Sequence, residues 1–168
     1  MKISYLGLGL VLALILPVTA LYAESQPTTI DIKRISLDTA LTAARAAIDA
    51  CRKEGVQIAV TIIDRGGHPQ VILRDVLAMD LTLTISRQKA YTAMSFNSAT
   101  SGLTGRFKDP FSIAKVEGLV ISAGGLPITA GGNILGGIGV SGAPSGTTDE
   151  KCAHAGIDAI HDDLEMGM

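Results

Sequence analysis

The chain has 168 residues, with 14 Lys and Arg against 16 Asp and Glu, a net charge of −2 and 4% aromatics. A nearly balanced charge without a block of one sign argues against nucleic acid as a partner, and scarce aromatics remove the stacking surface that single strands need. The length suits one domain able to bury its own core.

Met1 and Lys2 precede an uncharged stretch from Ile3 to Ala23, broken by Pro17 and carrying small residues at Ala20 and Ala23. This is the pattern of a secretory signal peptide, residues 1–23, with residues 24–168 as a single mature domain. An uncleaved anchor is the alternative, since the run is long enough to span a bilayer. Export predicts a periplasmic or secreted location and puts Cys51 and Cys152 in an oxidising compartment. Their spacing fits neither a Cys-x-x-Cys redox motif nor a zinc cluster. The expectation is a disulfide between the first and last helices; the alternative is two separately buried thiols.

Ser36 is placed to cap a helix whose apolar positions Leu37, Ala40, Leu41, Ala44, Ala47 and Ile48 recur at helical spacing, with Gly55 at its end. The β-branched run at 56–64, the turn "RGGHP" and the run "QVILR" predict a hairpin over residues 56–74. A second helix follows from Leu81 to Phe96, then a long connection at 97–118 with one short helical turn. Three strands are expected next, at "GLVISA", "LPITA" and "NILGGIGVSG", with "AGGN" turning between the last two. Thr147 and Glu150 form a capping box that would start a continuous final helix to Glu165. The order is helix, two strands, helix, three strands, helix. It defines an α+β fold with a central antiparallel five-stranded sheet flanked by helices.

Gly137, Gly139 and Gly142 spell G-x-G-x-x-G, but inside a strand and just before Pro144. A dinucleotide site needs a helix opening in the motif. Glycines in a strand serve a bulge, a bend or the close approach of another backbone or a ligand. Asp64, His68 and Ser86 make no arrangement specific to hydrolysis, so a binding protein is favoured over a dedicated enzyme. His68 sits in a tight turn, where an imidazole suited to haem iron either projects or is merely exposed. On the second helix, "SRQKAYTAMSFN" puts Arg87 and Lys89 beside Tyr91 and Thr92. Either its cations pair with an anionic ligand such as a propionate, with the hydroxyls bonding that ligand or near a metal, or the helix is amphipathic, with both cations in water.

The segments "VQIAVTIIDRGGHPQVILRD", "SRQKAYTA", "AGGLPITAGGNILGGIGVSGAPSG" and "DEKCAHAGIDAI" resemble the GlcG/HbpS-like family, also described as the haem-degrading or PduO C-terminal domain family, in order and spacing. The resemblance runs over residues 36–160 and is greatest to the exported haem-binding members. It implies a profilin-like fold and homo-oligomers, with haem at or near subunit contacts in some members. It also implies Thr92 as an iron-contacting residue, beside His68 as the other candidate ligand. Arg74, Arg87 and Lys89 are then candidates for the propionates and Tyr91 for the pocket. One departure is local: many relatives read Arg-x-Asp-Gly-Ala where this chain has Arg74, Asp75, Val76, Leu77 and Ala78. The expected function is an exported oligomeric protein that sequesters or senses haem, with iron as a second candidate cofactor and a sensor or membrane protein as a further partner. The alternatives are a small organic-acid-binding accessory protein without haem, and slow haem breakdown.

Overall fold

The computed structural model describes residues 27–107 and 115–168; the expected signal peptide lies outside the described residues. Residues 31–168 form one compact unit. Its elements are α1 (Leu37–Lys53), β1 (Ala59–Asp64), β2 (Pro69–Arg74), α2 (Leu81–Phe96), a 3-10 turn (Thr100–Leu103), β3 (Gly125–Ala130), β4 (Asn133–Ser141), α3 (Gly146–Asp158) and α4 (His161–Met166). Ser36 caps α1 as expected, accepting the Thr39 N–H at 3.2 Å. Among the described residues no helix is long and apolar enough to cross a membrane.

The sheet is antiparallel in the order β2-β1-β4-β3, which makes β1 and β4 the inner strands. Alternation along β1 sends Val60 and Ile62 into a core shared with Ala40, Ala44 and Ile48 of α1 and with Cys152 and Ala153 of α3. Ile63 points to the opposite face, against Ala90 and Met94 of α2. Both faces of β1 are thus covered, and all six of its residues are buried. Cys51 and Cys152 are bonded to each other, tying α1 to α3.

Helix α2 rests almost directly on the backbone of β4. A Cβ at Gly139 would lie 2.0 Å from the Ser86 carbonyl oxygen, and one at Gly137 would lie 2.6 Å from that of Ala90. Close approach of another backbone is therefore what these two glycines of the G-x-G-x-x-G pattern serve.

The structure corrects three expectations. Four strands are present among the described residues, not five: "GLVISA" forms no strand, and Gly124 at its end takes φ 118°. Its Val120 N–H goes to the Thr92 hydroxyl, away from any strand neighbour. The cap of α3 is Ser145, whose Oγ accepts the Thr148 N–H at 3.1 Å. Glu150 is drawn away from a capping box by tertiary partners, the Ser101 hydroxyl at 2.8 Å and the Gly124 N–H at 3.3 Å. Finally, the last helix is broken at Ala159 and Ile160, where Ile160 enters the core and its carbonyl accepts the Leu164 N–H that starts α4.

Candidate functional site

The two faces of α2 have different work. Ser86, Lys89, Ala90 and Ala93 turn inward and are buried. Thr84, Arg87, Gln88 and Tyr91, related by i, i+3, i+4 and i+7, turn outward and line a groove with Leu83. Ile72 of β2, Gly67 of the β1–β2 turn, and Glu117 with Gly118 of the loop before β3 complete it, enclosing about 620 Å³. Small-molecule sites span roughly 300–1,000 Å³ and pair an apolar lining with a few polar groups. Here Ile72, Leu83 and the Tyr91 ring provide the apolar lining, and Arg87 provides a cation.

The turn meets the helix because Gly67 lacks a side chain. It takes φ 84°, and a Cβ there would lie 2.9 Å from Cε2 of Tyr91. Asp64 organises the same turn, its Oδ1 accepting the N–H groups of Gly66 at 2.8 Å and His68 at 3.0 Å. Its Oδ2 lies 3.4 Å from Arg34. Burial pushes the Asp64 carboxyl up, but the N–H donors of His68 and Gly66 together with the nearby Arg34 guanidinium outweigh it and hold the group below its ordinary value. The His68 ring folds back over Gly66, with Nδ1 3.5 Å from Asp64 and the side chain 78% exposed.

Of the residues singled out in the sequence, Arg87 and Tyr91 line the groove, and His68 adjoins it through Gly67. Thr92 lies behind the helix, fully buried, its hydroxyl donating to the Gln88 carbonyl at 2.8 Å and accepting the Val120 N–H at 3.0 Å. Lys89 is buried too, with Nζ 2.8 Å from Asp149 and 3.0 Å from the Val140 carbonyl. Burial pushes the Asp149 carboxyl up, by more than Lys89 and the Ala143 N–H bring it down. Arg74 lines a second groove of about 230 Å³ with Arg45, Arg52 and Asp75, and donates to the Ala78 carbonyl. Thr84, Gln88 and Leu83 were missed, although their spacing from Arg87 and Tyr91 marks one helical face. Glu117 and Ile72 reach the groove through the fold, and no local pattern points to them. Among the described residues, no three His, Cys, Asp or Glu side chains gather into a metal site.

An antiparallel sheet with α1 and α3 on one face and α2 on the other defines an α+β domain whose α2 bears an amphiphilic groove of small-molecule size. The family described as "Haem degrading protein HbpS-like" matches residues 35–158, and the chain belongs to it. A crystal structure of HbpS is similar at 38% identity and a TM-score of 0.76, covering 79% of this chain and 94% of that one. A PduOC–haem complex is similar at 26% identity and a TM-score of 0.69, covering 76% and 95%. A 15.0 kDa protein encoded between dhaT and dhaS in Citrobacter freundii is 29% identical over 116 residues, 66% of this chain and 82% of that protein.

Proposed function

We propose that this chain is an exported, homo-oligomeric protein that binds haem in the α2 groove, sequestering it or passing haem and iron status to a sensor or membrane partner. The observation that carries the reading is the pairing of Arg87 with an apolar lining that includes the Tyr91 ring. A planar apolar ligand with carboxylates at one edge matches that combination, since guanidinium binds carboxylate with good geometry. Membership of the HbpS-like family and likeness to a haem complex of PduOC support it. Haem would bring its own iron, and this chain would supply the slot and the cation. Of the two candidate iron ligands, Thr92 and His68, His68 is the one proposed to serve. Thr92 would have to give up its bonds to Gln88 and Val120 to serve, whereas the His68 ring is already exposed.

The test is a haem titration of residues 24–168 followed in the Soret region, with Thr92→Ala and His68→Ala in parallel and the mass in solution measured with and without haem. A saturable, shifted band supports the reading, and its loss in His68→Ala names that residue as the ligand. A spectrum indistinguishable from free haem would sink it.

One observation favours a second reading, a small organic-acid binder without haem. Arg45 and Arg74 border a groove of about 230 Å³, a size for a short carboxylic acid, in which Arg52 is already engaged by Asp75 and Asp49. Calorimetry with short hydroxy acids separates the two, and silence across the panel removes this one.

A further inference from the structure

Val120 belongs to a segment with the composition of a strand that forms none, and its N–H crosses to α2, donating to Thr92 Oγ1 at 3.0 Å. The Thr92 hydroxyl in turn donates to the carbonyl of Gln88 at 2.8 Å. A helical threonine that bonds the carbonyl four residues back keeps oxygen lone pairs free, and here one of them takes an N–H from outside the helix. The consequence lies in what the two ends carry. Gln88 lines the groove, and so do Glu117 and Gly118, which shortly precede Val120 in the same loop. Among the described residues, the next fastenings of this loop come only at its far end, where Gly124 donates to Glu150 at 3.3 Å and Gly125 to Thr100 at 2.9 Å. Near the groove, Leu119 bonds only within the loop, to the Val116 carbonyl at 3.3 Å.

We propose that Thr92 is a positioning residue: it latches the 117–120 loop to α2, sets the width of the groove, and acts on a ligand through that loop. The inference rests on the groove being the ligand site, and it assigns Thr92 a role separate from iron ligation. The Val120 N–H is half-buried and has this one acceptor among the described residues, so removing the oxygen alone should free the loop. Valine keeps the branched shape and the buried volume but offers no acceptor, whereas serine keeps the oxygen.

The first experiment needs no ligand. Amide hydrogen exchange at Val120 is measured in the wild type, Thr92→Val and Thr92→Ser. Exchange about 3- to 10-fold faster in the valine variant, the range for one hydrogen bond, and restored by serine, is expected. Equal protection in all three overturns the latch. The second experiment titrates haem and iron-free protoporphyrin IX into the wild type and Thr92→Val. A latch weakens both by the same factor, because the metal-free ring has no iron to ligate. Weakening of haem alone overturns the proposal in favour of direct ligation. If neither porphyrin binds the wild type, the haem reading fails, and the Val120 exchange still decides the latch.

Discussion

The ring of Tyr91 occupies the space that a side chain on Gly67 would need, with Cε2 2.9 Å and Cδ2 3.1 Å from where a Cβ would stand. The hairpin turn and the groove helix are therefore in contact through an absence. Gly67→Ala meets both that ring and the cost of a non-glycine residue at φ 84°. A loss of about 1–3 kcal/mol in urea unfolding is expected, with Tyr91 displaced from the groove. An unchanged unfolding midpoint would show that the turn yields freely.

Arg87→Ala should weaken binding of an anionic porphyrin by roughly 2- to 10-fold, since an exposed cation contributes modestly until the ligand covers it. Arg87→Lys should recover only part of the loss, because an ammonium lacks the fork that engages a carboxylate. Titrations at two salt concentrations check the charge component, which must shrink as salt rises. Equal affinity in wild type and Arg87→Ala would move the propionate contact elsewhere.

Lys89→Met leaves the buried Asp149 without its cation, and breaking a buried pair from one side costs about 3–5 kcal/mol. The loss has a definite pH dependence. Burial already raises the carboxyl, so the folded state holds its proton more tightly than the unfolded chain does. The deficit is then largest above the folded pKa and shrinks as pH falls through it, where Asp149 becomes neutral. Urea unfolding of both proteins at pH 7 and at about pH 5 checks the sign, and a deficit that grew on acidification would contradict it.

The Cys51–Cys152 bond closes a sequence separation of 101 residues. Chain entropy gives such a loop about 4–5 kcal/mol of stabilisation. The Cys51→Ala, Cys152→Ala double variant should lose most of it in denaturant unfolding, while keeping the far-UV signature of the fold at low temperature. A loss under about 1 kcal/mol would show that α1 and α3 are held by packing alone.

Where the fold was legible, the controlling forces were local. The expected span of α2 holds, and Asn97, in the left-handed region at φ 45°, closes its C-terminal end. The hairpin follows from β-branched runs around two glycines. The failures share a different cause. Glu150 sits where a capping box would use it, yet Ser101 and Gly124 claim its carboxylate. Lys89 looked like a cation for ligand or water, but its carboxylate partner lies 60 residues further along, and helical spacing cannot see it. Strand composition at Val120 lost to one hydroxyl on α2. In the site, Arg87 and Tyr91 were recognisable by residue type, whereas Ile72 and Glu117 arrive through topology alone.

The seating of α2 on bare strand backbone has a consequence for how such a site diversifies. At Gly139 the helix meets the sheet main chain to main chain, and at Gly137 the Ala90 carbonyl comes nearest, with Met94 Cβ beside it. The frame and the chemistry are thereby separated. Residues 84, 87, 88 and 91 line the groove and take no part in that seating, so their side chains can be exchanged without tilting the helix that displays them. At residues 137 and 139 the same freedom is absent, since any added carbon lifts the whole recognition face off its base.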